Sequence, residues 1–385
     1  MLEVTIEGEC QTEFSKLRDV FAASFTGENE HPEVGASICV YLDGRKVVDL
    51  WGGYADRARE RPWRRDTIVN MMSVAKGVLA LCAHILVDRG QLNLDAPVAD
   101  YWPEFGQKGK ETLPVRFLLD HRAGLAAVDD LRRGMAYDWD AMVGALETTA
   151  PMHPPGSTPC YHSITMGHLV GEVVRRISGQ DIGAFMAANI AEPLGLDYHF
   201  GLKADEVPRC ADFLEDEGQG LAEYLLANPD ALAARTFGPI AADESFNSPE
   251  WRQSLVPSAN GHGNARALAR LYGALALGGS LDGVRIIGRD TLLRAAAEQW
   301  DDTDLATGIR MRMALGFRLG SADTPMGPNR RAFGSPGAGG ATSFCDMDAG
   351  IGFGYAMNAK YPGLAAGPRA ATLVAALYDC EICLN

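Results

Sequence analysis

Strand-like text stands at the two ends of this 385-residue chain, and mostly helical text lies between them. Near the start, Ser37 to Leu42 and Arg45 to Leu50 flank Asp43-Gly44, a pair suited to a tight two-residue hairpin turn. Near the end, Ala314 to Leu319, Arg331 to Gly334, Thr342 to Asp348 and Gly352 to Met357 each read as short strands. Strands at both ends with helices between imply that the two ends share one antiparallel sheet. The expected fold is therefore mixed α/β (α+β), with that sheet flanked by helices. A chain of this length can bury a large core. Residues 1–385 are read as one domain, its α/β part from about 1–95 and 255–385 and its helical part about 96–254.

The helices follow from apolar spacing. Phe14, Leu17, Val20, Phe21 and Phe25 mark one over 11–26. Val115 to Leu125 holds a short one. Met166 to Ile177 is ended by Ser178-Gly179, and residues 181–192 are stopped by Pro193. Another runs from Ala265 to Leu277 and stops at Gly278-Gly279, and the last covers 368–379. Residues 203–250, rich in Ala, Asp and Glu, give no packing pattern.

A net charge of −15 argues against nucleic acid or an anionic membrane surface as partner. No apolar run is long enough to span a bilayer. Met1 to Gly8 has neither a basic nor an apolar leader segment, so the cytoplasm is the expected location. Most of the eight cysteines sit in apolar text, as buried thiols do. Cys380 and Cys383 form a lone C-x-x-C without a second pair, which does not make a zinc site. The eight histidines are dispersed, with no H-E-x-x-H. His121, His162, His168 and His262 are read as core or supporting residues, and neither a metal nor a cofactor is expected.

Chemistry is concentrated in the stretch from Ile68 to Leu81, where a polar loop turns into an apolar helix. Ser73 and Lys76 are three apart, so they share one helix face. Val78, Leu81, Ile85 and Leu86 would bury that helix. A lysine carried into a core favours its neutral form, as does the positive end of the helix dipole. A neutral amine beside a hydroxyl is what an activated serine nucleophile needs. The nucleophile elbow G-x-S-x-G occurs nowhere in the chain, which disfavours an α/β-hydrolase. Tyr161 sits in a loop between Pro/Gly turns and just before a helix, where its phenol could face a cleft. Gly334 to Gly340 lies between strand-like runs, and its glycines let a backbone approach a ligand closely enough to aim an N–H at an oxyanion.

These three elements occur together and in order, and the chain resembles the serine β-lactamase/penicillin-binding-like superfamily. Within it, the likeness is to the class C-like esterases called family VIII carboxylesterases. The matching text runs from about Gly35 to Met357. It includes Ser73-Val74-Ala75-Lys76, Leu92 to Val98, Leu118 to Leu125, Pro155 to Tyr161, Leu194-Gly195-Leu196 and Phe333 to Gly340. The resemblance implies a β-lactamase/transpeptidase-like fold and a nucleophile, Ser73, that forms an acyl-enzyme. Tyr161 takes the place of the Y-x-N or Y-x-S tyrosine, with Ser163 at the third position. Lys76 and Tyr161 would share the base and proton-shuttle work, in either order. Ser335-Pro336-Gly337 aligns with the K-T-G or H-x-G strand, so Ser335 and Gly337 join Ser163 as substrate-binding candidates. The N–H groups of Ser73 and Ala338 would form the oxyanion hole.

Two departures shape the expected activity. Ser335 stands where many relatives carry Lys or His, which weakens recognition of a substrate carboxylate. The missing leader argues against a periplasmic β-lactamase or cell-wall peptidase. Hydrolysis of short-chain carboxylic esters is therefore expected, with little or no hydrolysis of penicillins. The partner would be a small-molecule ester, and the oligomeric state is left open. β-Lactamase or D-alanyl peptidase activity, acyl transfer, and a non-catalytic binding module on the same fold are the alternatives. Tyr137 and Trp139 either line the pocket or pack the core.

Overall fold

The computed structural model describes residues 4–26, 31–130, 132–215, 228, 231–240, 246–322, 324–362 and 367–380. Cys383 and part of the Ala/Asp/Glu-rich stretch at 203–250 lie outside the described residues.

The two chain ends meet in one antiparallel sheet. Its strands run in the order Ile6–Cys10, Arg45–Gly53, Gly35–Leu42, Ile351–Met357, Thr342–Asp346, Phe333–Pro336, Arg318–Leu319, Arg310–Met313 and Trp300–Thr303. The junction of the ends is central: Gly35–Leu42 pairs with Ile351–Met357, with Ala36 opposite Met357 and Leu42 opposite Ile351. The expected hairpin turn is present, since Asp43 and Gly44 both take positive φ, 46° and 75°.

Alternation along Ile351–Met357 sends its side chains to two different cores. Ile351, Phe353 and Tyr355 face outward, toward Phe14, Leu17 and Phe21 near the chain start and Leu373 and Leu377 near its end. Gly352 and Gly354 face inward, where the Ala265–Ala276 helix crosses the sheet. A Cβ on Gly354 would stand 2.3 Å from the Ala265 carbonyl oxygen, and one on Gly352 2.1 Å from the Gly273 nitrogen. Only glycine allows the helix to lie this close. Behind it runs the Ala75–Asp88 helix, buried on all sides from Ala75 to Leu86 and packed against Thr165–Ser178. A separate sheet of Val69–Asn70, Gly261–Gly263 and Tyr198–Phe200 ties the entrance of that helix to the helical region.

The spacing does not anticipate Ile6–Cys10, Trp300–Thr303 or Arg310–Met313 as strands. The Ala314–Leu319 text is a hairpin rather than one strand: Met313 pairs with Arg318, and Gly316 turns at φ 88°. A Cβ on Gly316 would lie 2.2 Å from Ala80, so the turn is pressed onto the buried helix. The helix expected to stop at Pro193 runs on to Leu194, because a widened π turn at Ala187–Ala191 precedes the proline. Gly195, at φ 63°, then ends it. No described helix is long and apolar enough to cross a membrane.

Candidate active site

The segment before Ser73 is held from two sides. Met71 N–H donates to the Gly261 carbonyl at 2.9 Å, and Met72 N–H donates to Asn70 Oδ1 at 2.9 Å. Met72 takes φ 48°, a costly conformation for a bulky residue. The Asn70 bond and the short sheet fix it there. Ser73 follows in one 3₁₀ turn, Met72–Val74, which runs directly into the Ala75–Asp88 helix. The glycine-rich segment packs against this turn. A Cβ on Gly337 would stand 2.2 Å from the Met71 carbonyl oxygen, so glycine is what permits the approach. Ser335 Oγ–H donates to the Ser73 carbonyl at 2.7 Å.

Lys76 is 3% exposed, and its Nζ lies 3.1 Å from Ser73 Oγ, 2.9 Å from the Ser163 carbonyl oxygen and 2.8 Å from that of Ser258. Burial holds its amine well below the usual lysine range, and the charge of Arg318 adds to the effect. A neutral amine has two N–H groups and one lone pair. If the two carbonyls take the N–H groups, the lone pair is left for the Ser73 hydroxyl.

Tyr161 is fixed by its backbone neighbours. Its N–H donates to Asp304 Oδ1 at 2.5 Å, and Cys160 N–H donates to the His121 carbonyl at 2.9 Å. His162 N–H donates to His121 Nδ1 at 3.2 Å, and the His121 ring lies 4.5 Å from the Tyr161 ring. Burial pushes the phenol above its ordinary range, while the Arg318 charge and a hydrogen bond with Ser73 work against that rise. Lys76 Nζ stands 4.8 Å from the Tyr161 ring centre, and the Arg318 guanidinium carbon 5.8 Å from it.

A cavity of about 310 Å³ opens over Ser73. Tyr161, Ser163, Ala338 and Arg318 line it near the serine, and Phe237, Ile240, Phe246 and Trp251 form apolar walls. A profile of the β-lactamase family matches residues 21–377. The chain belongs to the β-lactamase family. It is 33% identical over 363 residues to an "Esterase/beta-lactamase LipL" of Mycobacterium tuberculosis, covering 91% of this chain and 82% of that protein. A crystal structure of a family VIII carboxylesterase superposes with a TM-score of 0.88 at 40% identity, over 98% of this chain and 100% of the other. A penicillin-binding protein homologue from Caulobacter crescentus superposes with a TM-score of 0.88 at 37% identity, over 97% and 99% of the two chains.

Within this β-lactamase-family fold, the structure brings Ser73, Lys76 and Tyr161 together at one point. Ser163 and Ala338 line the same cavity. Ser163 Oγ–H reaches the buried Thr236 hydroxyl at 3.3 Å. Ser335 and Gly337 lie against the Ser73 turn and are not among the cavity-lining residues. Tyr137 packs edge-on against Trp251, and Trp139 Nε1–H donates to Glu172 at 2.9 Å, so neither lines the cavity. His162 and His168 are buried, His162 accepting from the Leu125 N–H at 3.2 Å and His168 bonded to the Ala136 carbonyl at 3.1 Å.

Asp304 and Arg318 escape the sequence reading. Asp304 receives Tyr161 N–H on one oxygen, and Thr307 N–H and Oγ1–H on the other at 2.7 and 2.6 Å. Arg318 brings into the cavity a cation that Ser335 does not supply. Each stands on or beside a short strand at one edge of the sheet, where only the three-dimensional pairing shows what it faces.

Proposed function

We propose that this protein is a β-lactamase-type serine esterase that cleaves short-chain carboxylic esters through an acyl-enzyme on Ser73. The observation that carries this reading is the placement of Lys76 Nζ, 3.1 Å from Ser73 Oγ and in contact with two carbonyl oxygens. Ser73 Oγ attacks the ester carbonyl carbon and its proton passes to the Lys76–Tyr161 pair. On this reading the N–H groups of Ser73 and Ala338 stabilise the developing oxyanion, and one such donor is worth roughly 2.7–4 kcal/mol of transition-state stabilisation. The pair returns the proton to the departing alkoxide, and the alcohol leaves. Water then attacks the acyl-enzyme, gives its proton to the same pair, and the acid departs as Ser73 regains its hydrogen. Ser335, bonded to the Ser73 carbonyl, helps hold the nucleophile's backbone.

Cavity size and wall chemistry support short acyl groups. A cavity of about 310 Å³ is at the small end for small-molecule sites. The family VIII carboxylesterase and the Mycobacterium tuberculosis relative carry names in keeping with ester hydrolysis, and the latter name also includes β-lactamase. Nitrophenyl esters from acetate to dodecanoate, assayed beside a chromogenic cephalosporin, test the proposal. Acetate to butyrate esters are expected to give the highest kcat/KM. A cephalosporin or dodecanoate turned over faster than the butyrate would contradict the assignment.

A further inference from the structure

Among the described residues, groups from several elements pack against Tyr161 and Lys76. Ser73 and Lys76 come from the nucleophile turn and its helix. His121 comes from the loop after Arg116–Leu119, Asp304 from the loop after Trp300–Thr303, and Arg318 from its own strand. His162 adjoins His121, with their rings 5.5 Å apart. Burial, with the charge of Arg318 adding to it, holds His121 well below the usual histidine range, so it is neutral. His162, pushed down to about 3 by burial, is neutral as well. Lys360 and Glu215, also on the cavity wall, pair with each other at 2.8 Å. Among the described residues, two charged groups act on the phenol from outside the reacting trio. Asp304 opposes its ionisation and Arg318 promotes it, with Arg318 the larger influence.

Arg318 reaches this position through the sheet. It pairs with Met313 on one side and with Gly334 on the other. The same edge ribbon, Trp300–Thr303 with Arg310–Met313, leads into Asp304 and Thr307. These neighbouring strands therefore both clamp the Tyr161 backbone and set a guanidinium 5.8 Å from its ring centre. A guanidinium remains protonated across the working pH range, so it acts on proton transfer by its field alone.

We propose that Arg318 is a positioning residue whose fixed charge, held 5.8 Å from the Tyr161 ring centre, eases loss of the proton shared by the Lys76–Tyr161 pair. The sign is the same for either assignment of the base. A nearby positive charge disfavours lysine ammonium and favours tyrosine phenolate, so it eases loss of a proton from whichever group holds it. This role rests on the assignment of Ser73, Lys76 and Tyr161 made above.

The test is the pH dependence of kcat/KM with a neutral nitrophenyl ester, for the wild type, Arg318→Met, Arg318→Gln and Arg318→Lys. The two neutral variants give independent readings if one folds poorly. In both, the acid limb moves to higher pH by on the order of one unit, and Arg318→Lys restores most of the shift. An active Arg318→Met or Arg318→Gln whose acid limb stays at the wild-type position overturns the proposal. So does a loss confined to esters bearing a carboxylate, which would make Arg318 a substrate-recognition group. The underlying assignment fails differently: through absent ester turnover by the wild type, or turnover retained in Ser73→Ala.

Discussion

Asp304 Oδ1 accepts the backbone N–H of Tyr161 at 2.5 Å, linking two residues 143 positions apart in sequence. The bond fixes where the phenol stands relative to Ser73 and Lys76. Asp304→Ala removes it, together with both bonds from Thr307. Because small misplacements of a catalytic group are costly, kcat is expected to fall by about 10- to 100-fold. KM should change much less, since the apolar walls remain. Asp304→Asn keeps one acceptor oxygen and should retain more activity. Steady-state kinetics of the two variants with nitrophenyl butyrate check this, and equal losses in both would show that the Tyr161 bond is not what matters.

Lys76 and Tyr161 touch each other as well as Ser73, with Lys76 Nζ 4.8 Å from the Tyr161 ring centre. Groups that act as one proton-transfer unit lose their effect together. Lys76→Met and Tyr161→Phe are each expected to lower kcat by at least about 10³-fold, within the range for general acid–base groups. The double variant should be little worse than either alone. Multiplied effects in the double variant would mean two independent roles.

Asp197 provides a stability prediction. Arg209 contacts it at 2.5 and 2.7 Å, His199 Nε2 at 2.9 Å and Asn264 Nδ2 at 3.2 Å. Burial alone would raise its carboxyl, but the hydrogen bonds from His199 and Arg209, together with their charges, outweigh it and hold the group at about 2. The folded state therefore favours the carboxylate. Its contribution is complete above the ordinary aspartate range and is lost as pH falls from about 4 to about 2. With the side chain 31% exposed, screening limits the contribution to on the order of 1–2 kcal/mol at neutral pH. Thermal unfolding of wild type and Asp197→Asn should show a gap at pH 7 that narrows steadily below pH 4. A gap independent of pH would refute the assignment.

Spacing alone recovers the parts of this site that lie close together in sequence, whereas Tyr161, Ser163 and Ala338, far from Ser73 in the chain, are assigned to it only through the resemblance to known motifs. Ser73 and Lys76 are one helical turn apart, and periodicity alone puts them on one face. Asp43-Gly44 carries its turn in its own φ preference. Joining the chain ends needs only strand text at both, and Gly35–Leu42 does pair with Ile351–Met357. Asp304 and Arg318 lack such local marks. Arg318 sits on a strand of two residues, too short for alternation to register, and its partner Tyr161 belongs to a distant loop. The role of Ser335 is hidden for a similar reason. Only the folded chain brings the Ser335 hydroxyl to the Ser73 carbonyl, where Gly337 lies close against Met71.

The central claim is that Ser73 is the covalent centre, and active-site labelling addresses it most directly. The protein is treated with one equivalent of a fluorophosphonate, and its intact mass, its peptide map and its residual turnover of nitrophenyl butyrate are measured together. The expected result is a single phosphonyl adduct on the peptide containing Ser73, formed in step with loss of turnover and absent from Ser73→Ala. An adduct on another residue, or full turnover by protein labelled stoichiometrically at Ser73, would contradict it.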